Sequence, residues 1–211
     1  MECASSLFLN SGPLLAATGI PLNWFDAVIL GALGYGYHLG KTNGAAEEHL
    51  PAMKWLLIVT LGGFGAGPLG GLFSGIGLGK YWGQMFAYLF LGFLVFLFFK
   101  FMDSRGQSKL KDSEWFGRME YPLGIFLGML KHLCIVVFFM ALVNSKSVTA
   151  ALVAASRENQ IKEFGSEIFP TFPGINHGMF VNSFTGPYLR KGLKWILLDP
   201  VGPELQARTT F

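Results

Sequence analysis

The sequence predicts an all-α membrane protein with about four transmembrane helices, glycine-rich packing faces and amphipathic C-terminal helices. Hydrophobic residues make up 52% of the 211 residues and charged residues only 14%, against about 25% charged in a typical soluble domain. The mean hydropathy is +0.45. The apolar residues also come in long blocks, and several blocks reach the roughly 20 residues that a helix needs to cross a bilayer.

The first predicted span follows a lead-in, residues 1–22, that lacks the basic start of a signal peptide. The span covers about residues 23–40, and Trp24 and Phe25 at its start are typical of a membrane interface. Asp26 lies just inside it. Its carboxylate either caps the helix start, where the helix dipole favours an acid, or pairs with a buried cation. We favour the capping interpretation.

A polar loop, residues 41–50, comes next and holds Glu47, Glu48 and His49. Two acids and a histidine suggest a metal or acid–base site, but adjacent residues on a helix diverge by about 100°. We therefore interpret the acids as the solvated first turn of the next helix. There they lie at the positive end of the helix dipole, with Pro51 near the helix start.

The second span, residues 51–79, is dense in glycine and contains Pro68. A glycine at every fourth position makes a smooth helix face on which another helix can pack closely. Pro68 should kink or break the helix. Residues 64–79 are therefore predicted either as a kinked helix or as a break in the membrane. The stripe consists of Gly63, Gly67, Gly71, Gly75 and Gly79.

The third span, residues 81–101, is the clearest, because residues 81–99 carry no charge and begin with aromatic side chains. Lys80 and Lys100 bound this uncharged stretch. A polar loop up to residue 120 follows it. This span predicts a plain membrane-crossing helix.

The fourth span, residues 121–145, carries Lys131 and His132 well inside its apolar run. An ionisable residue within a span indicates a functional site. The alternative is that the embedded part begins late and that Lys131 extends its charge outward to the interface. For His132 we favour simple packing. Gly124 and Gly128 offer a second face of small residues.

The tail, residues 146–211, is predicted not to span the membrane but to form amphipathic helices. Its second amphipathic piece combines apolar residues with three basic residues and a tryptophan, which is typical of a helix lying in the membrane interface. Packing on a partner protein or on the chain's own helices is the alternative. The basic residues and the tryptophan are Arg190, Lys191, Lys194 and Trp195.

Four spans place both termini on one side of the membrane, and the basic residues predict which side. The loops after the first and third spans hold seven basic residues, whereas the other side holds Lys80 before the tail begins. The positive-inside rule therefore predicts that both termini lie outside the cytoplasm. The seven residues are Lys41, Lys54, Lys100, Arg105, Lys109, Lys111 and Arg118.

Several function classes find no support in the sequence. Nucleic-acid binding would need a basic stripe interleaved with aromatic residues. Cys3 and Cys134 cannot form a disulfide framework or a metal site by spacing. Residues 65–70 match GxGxxG, but no strand–helix–strand unit surrounds them and Pro68 interrupts them. We predict no catalytic, cofactor-binding or metal-binding residues and no enzyme activity.

The order of features from residue 23 to residue 145 resembles the colicin V production protein family (CvpA family). That family has an aspartate at the head of its first span, a glycine-paced turn with basic residues, an acidic position and a tryptophan near the second span. Its last span begins with spaced glycines. The matching positions here are Asp26, Gly40, Lys41, Gly44, Glu47 or Glu48, Trp55, Gly124, Gly128 and Lys131.

The chain departs from the family pattern in the first loop. Members commonly carry arginine before each glycine of the turn, whereas Leu39 precedes Gly40 and Asn43 precedes Gly44 here. The resemblance implies a four-span protein of the bacterial inner membrane, linked to colicin V production and export and to envelope homeostasis. It implies no known reaction.

Three functional hypotheses follow. The first is a non-enzymatic accessory protein of this family, with the lipid bilayer, other copies of the chain or other envelope proteins as partners. The second is a small channel or transporter with a site at the glycine-rich kink near Pro68. The third, an intramembrane enzyme, would need more polar groups at depth. The candidate functional or packing residues are Asp26, Gly40, Gly44, Glu47, Gly63, Gly67, Gly71, Gly124, Gly128 and Lys131.

Overall fold

The computed structural model describes residues 23–111, 119–166 and 170–202, with the side chains of residues 103–111 left out. The described residues form helices and no strand, which confirms the predicted all-α class. The predicted lead-in, the centre of the second polar loop and the end of the tail lie outside the described residues. The helices are α1 (Trp24–Gly75), α2 (Lys80–Lys111), α3 (Glu120–Asn144), α4 (Ala150–Phe164), α5 (Phe172–Phe180) and α6 (Thr185–Gly192).

In the described part of the chain, three helices are long and apolar enough to cross a membrane: α1, the part of α2 up to Met102, and α3. In their most apolar stretches no more than 33% of the residues are buried inside the protein. Such a large exposed apolar surface is unfavourable in water and needs a lipid environment. The chain is therefore an all-α membrane protein. Exposed phenylalanines on α2 show the pattern: Phe86, Phe90, Phe93, Phe96, Phe98 and Phe101.

Helix α1 reverses its direction at Gly44. Its 52 residues would form a straight rod about 78 Å long, more than twice the roughly 30 Å of a hydrocarbon core. Gly44 has φ 74° and ψ 175°, whereas its neighbours are helical. This backbone region is open essentially to glycine alone. A single residue thus replaces the polar loop that the sequence predicted between the first two spans.

The first arm of α1, residues 24–43, runs antiparallel to α3. Gly36 lies against Gly128, and Gly40 lies against Gly124. The residue numbers rise along one helix as they fall along the other, which sets the opposite directions. The arm is about 30 Å long, which matches the thickness of a bilayer core.

The second arm, residues 45–75, runs parallel to α3. Glu48 pairs with Lys131, and the Trp55 ring packs edge-on against Phe138. From the first contact to the second, the residue numbers rise along both helices, which shows that the helices run in the same direction. The two arms therefore form a helical hairpin along α3, so that α1 supplies the first two of the four predicted spans.

The helix continues without a break past Pro68 and ends at Gly75, because Gly44 is the α1 residue with a non-helical backbone. The sequence predicted either a kinked helix or a membrane break at residues 64–79. Residues 64–75 are helix. Helix α2 packs antiparallel on this arm, with Tyr88 against Gly62 and Gln84 against Gly70. Because Gly62 and Gly70 have no side chains, α2 can approach the second arm closely.

The tail packs on the ends of α1 and α3. Asn176 of α5 donates to the Val143 carbonyl at 2.8 Å. Asn144 at the end of α3 donates to the Leu198 carbonyl at 2.8 Å. These amide bonds hold α5 and the segment after α6 against the bundle.

Part of the predicted interfacial piece is instead buried on the chain's own helices. Ile196 belongs to a buried cluster with Val59, Cys134 and Val137, while Trp195 remains 55% exposed. The segment's apolar residues find a dry surface here because glycine on the second arm admits its backbone. Interfacial placement stays a prediction for the rest of the tail, including α4.

Candidate functional site

Four glycines bring the first arm of α1 and α3 into backbone contact. A Cβ added at Gly36 would lie 2.6 Å from the Gly128 carbonyl oxygen, and one at Gly40 would overlap the Gly124 carbonyl. The sequence singled out Gly40, Gly124 and Gly128, and the structure brings them together. It did not single out Gly36, although the spacing of four residues before Gly40 was the signal.

Next to this crossing, Lys131 and Glu48 form a buried ion pair. Lys131 Nζ lies 2.5 Å from Glu48 Oε2, and the two side chains are 14% and 2% exposed. The other carboxylate oxygen accepts a hydrogen bond of 2.8 Å from the Asn43 amide. A buried charge is tolerated when it is paired and hydrogen-bonded; Glu48 is paired with Lys131, and each of its two oxygens accepts a hydrogen bond.

The interpretation of both loop acids as a solvated first turn is wrong for Glu48. Glu47 is exposed, but Glu48 is 1% exposed. Ala45, Glu48 and Ala52 are all buried, and their spacing of three and four residues places them on one helix face. That spacing was readable in the sequence and indicates Glu48, rather than the candidate Glu47, as the inward acid.

The Lys131 side chain does not extend outward, because Glu48 holds it inside the bundle. The neighbouring His132 uses Nδ1–H to donate to the Gly128 carbonyl at 2.8 Å. Its ring packs edge-on against Tyr35, with centroids 5.1 Å apart. His132 thus has the packing role that the sequence favoured.

Asp26 caps the start of α1 and ties it to the tail. It forms a capping box with Asn23. Its carboxylate is 1% exposed and accepts hydrogen bonds of 2.9 Å from Asn23 N–H, 3.0 Å from Phe184 N–H, 2.9 Å from Thr185 N–H and 2.5 Å from the Thr185 hydroxyl. The capping interpretation therefore describes Asp26, and the partners in these bonds are backbone and hydroxyl groups rather than a cation.

The predicted glycine stripe of the second arm packs within the chain at Gly63, where the Ile196 carbonyl touches the backbone. At Gly67 and Gly71, no other described part of the chain lies within 4 Å of an added Cβ. The GxGxxG match at residues 65–70 lies inside a helix. Its N–H groups are therefore not arranged as a phosphate-binding loop.

Where the stripe leaves this contact, a cavity of about 240 Å³ opens between the second arm, the start of α2 and the segment after α6. It combines a cation, an anion and an amide. Gln84 is 6% exposed, and its Oε1 has no hydrogen-bond partner among the described residues. The lining residues are Gly63, Phe64, Gly67, Gln84, Lys194, Trp195, Leu197, Leu198 and Asp199.

Comparisons with protein-family models, curated proteins and solved structures find no match for this chain. The chemistry of the Glu48–Lys131 pair and of the cavity therefore follows from their geometry alone. In the described part of the chain, no three His, Cys, Asp or Glu side chains lie together in a way that could hold a metal ion.

The two polar sites differ in what they can do. The Glu48–Lys131 pair is closed and satisfied internally, so it is suited to fixing the helix arrangement. The cavity is open, and Gln84 Oε1 in it has no partner among the described residues, so the cavity is suited to binding. The sequence did not single out Gln84, Lys194 or Asp199 as a group, because they come together only through the fold of the tail.

Proposed function

We propose that this chain is a non-enzymatic, multi-pass protein of the bacterial inner membrane that acts as an accessory component, as the resemblance to the colicin V production protein family implies. The proposal rests on the contacts next to the reversal at Gly44, called here the Gly44 junction: Gly40 with Gly124, and Glu48 with Lys131. Residues named for that resemblance lie in two distant parts of the sequence and meet at this junction. Gly40 contacts Gly124, and Lys131 pairs with Glu48. A set of residues that forms one junction supports a common origin of the pattern better than scattered matches would.

The departure from the family pattern also has a physical account. The position before Gly44, where arginine is expected, holds Asn43, whose amide donates to Glu48. Lys131 supplies the positive charge to the same carboxylate. The positive charge that neutralises Glu48 thus comes from Lys131 on α3 and not from an arginine in the turn. This supports the resemblance despite the missing arginine.

Both termini are proposed to lie outside the cytoplasm, as the distribution of basic residues predicts. The start of α1 and the tail lie together, since the Asn23 side chain donates to the Gly178 carbonyl at 2.9 Å. The lipid bilayer is the proposed partner, together with other copies of the chain or other envelope proteins.

Complementation tests the proposed role. In a bacterial strain that lacks its own family member, expression of this chain is expected to restore colicin V production, measured as growth inhibition of a sensitive strain. Lys131→Ala is expected to return production to the empty-vector level, because it disrupts the junction. The control is Lys162→Ala, which removes an exposed ion pair with Glu158 on α4 and should retain full production.

A chain that reaches the membrane at normal levels but restores nothing would count against this role. So would a Lys131→Ala variant that restores production as well as the unchanged chain.

The second candidate function is a small channel or transporter, and the cavity beside Gly67 favours it. Charged groups next to a glycine-rich helix are typical of solute sites in membrane proteins. Purified chain in liposomes should then pass ions or small solutes, and Asp199→Asn should change the rate. Equal leakage from protein-free liposomes across a broad ion panel would contradict it.

A further inference from the structure

The start of α6 is fixed at the level where the first arm of α1 leaves the membrane. This arm extends from Gly44 back to Trp24 over about 30 Å, the thickness of a hydrocarbon core. At the start of α6, Phe184 and Thr185 donate their N–H groups to the carboxylate of Asp26, close to Trp24. These hydrogen bonds hold the beginning of α6 at one boundary of the bilayer.

The segment after α6 is fixed at the same boundary on the second arm. From the reversal, this arm also reaches a length of about 30 Å at Phe64. The Ile196 carbonyl packs against Gly63. The Trp195 ring packs against Phe64, which is 60% exposed in an apolar run, and the ring centroids are 5.2 Å apart. Residues 185–196 are therefore held at the membrane boundary at both ends, and Trp195 continues the lipid-facing surface of the second arm.

Helix α6 turns aliphatic residues inward and aromatic residues outward. Leu189 and Leu193 pack on the buried core of the bundle. Phe184 and Tyr188 are exposed, and their ring centroids lie 5.6 Å apart. Lys191 is also exposed, and the spacing of four and then three residues places all three on one helix face. Tyrosine and tryptophan next to a basic residue are typical of the head-group region of a membrane.

This part of the tail carries an excess of positive charge that the chain does not neutralise. Arg190, Lys191 and Lys194 are all exposed, and none of them has an ion-pair partner among the described residues. Asp199 is the only acid in residues 181–199. A basic residue close to an anionic membrane surface favours binding about fivefold. The charge therefore matches lipids whose head groups are negative.

We propose that residues 184–195 form a binding surface for anionic phospholipids such as phosphatidylglycerol. The rings of Phe184, Tyr188 and Trp195 lie among the head groups and the upper acyl chains, and the three basic side chains contact the phosphates. The surface lies at the end of the first arm opposite the Gly44 junction, so it goes beyond the proposed accessory role and does not depend on it.

Quenching of Trp195 fluorescence in nanodiscs tests the proposal. The purified full-length chain is embedded in an equal mixture of phosphatidylglycerol and phosphatidylcholine, with bromine on the acyl chains of one lipid or of the other. Subtracting the spectrum of Trp195→Phe, which keeps an aromatic ring against Phe64, isolates the Trp195 signal. Brominated phosphatidylglycerol should quench this signal about fivefold more strongly than brominated phosphatidylcholine, the preference that one basic residue gives.

Lys191→Gln combined with Lys194→Gln should remove most of this preference. Both lysines are exposed and unpaired in the described chain, so the substitutions should leave the fold intact. The control is Lys162→Gln, whose charge is already paired with Glu158 on α4, and it should keep the preference. Salt at about 1 M should equalise the two lipids without abolishing quenching, because it screens charges and not aromatic burial.

Equal quenching by the two brominated lipids in the unchanged chain would overturn the assignment to anionic lipids. Absence of quenching by either lipid would overturn the placement of this surface in the membrane, and would indicate water or a protein partner there. An unchanged preference in the double lysine variant would also contradict the proposal. These outcomes involve no colicin and no solute gradient, so they are distinguishable from failed complementation and from an absence of flux.

Discussion

Replacing Lys131 with alanine is expected to lower the free energy of unfolding by about 3–5 kcal/mol, because it leaves a buried carboxylate without its counter-charge. Glu48 is 1% exposed, so water cannot take over from the lysine. Asn43 alone would remain to donate to the carboxylate in the observed geometry. The measurement is unfolding of the purified chain in mixed micelles, titrated with denaturing detergent and followed by circular dichroism.

A double variant separates the loss of the pair from the cost of an orphaned charge. Glu48→Gln combined with Lys131→Met removes both charges and should recover most of the stability, since replacing a whole buried pair is often nearly neutral. The matched control is the exposed pair on α4: Lys162→Ala should cost less than about 1 kcal/mol. Similar losses for Lys131→Ala and Lys162→Ala would contradict the buried pair.

Gly40→Ala is expected to destabilise the protein by about 1–3 kcal/mol, through overpacking at the crossing of the first arm and α3. The added Cβ would lie 2.7 Å from Ile125 Cα and 2.8 Å from the Gly124 carbonyl carbon. These atoms belong to the backbone, so no side-chain rotation can relieve the contact and the helices must separate. The same unfolding titration measures the loss.

Gly67→Ala is the matched control, because no atom of the described residues beyond the helix's own backbone lies within 4 Å of its added Cβ. Alanine is favoured over glycine in a helix by up to about 1 kcal/mol. This variant should therefore be neutral or slightly stabilised. Equal effects of Gly40→Ala and Gly67→Ala would show that backbone contact at the crossing does not limit stability.

The sequence was sufficient for the membrane class and for the helical segments, because long apolar blocks are local features of the chain. It also indicated three of the four crossing glycines, Gly40, Gly124 and Gly128, but not Gly36. The reversal at Gly44 was harder to read, since its polar surroundings suggested a loop. A single glycine in a backbone conformation closed to other residues does the work of that loop.

The partner of Lys131 and the groups of the cavity depend on contacts that composition does not encode. Glu48 lies 83 residues from Lys131, and its inward direction follows only when the helix is extended back to Ala45. Gln84 and Asp199 line the same cavity because the segment after α6 returns to the second arm. Such long-range pairings are decided by packing, so the sequence pattern alone could not supply them.

The hydrogen bonds of Asp26 determine the order in which parts of this protein can fold during synthesis. The tail residues that donate to its carboxylate lie 158 and 159 positions further along the chain. The first arm of α1 is therefore synthesised long before Phe184 and Thr185, whose N–H groups donate to the carboxylate that caps this helix. Until then the carboxylate must keep other donors, such as Asn23 and water at the membrane surface. The closure of the tail onto Asp26 is thus a late event in biogenesis, which follows the synthesis of the first arm by about 160 residues.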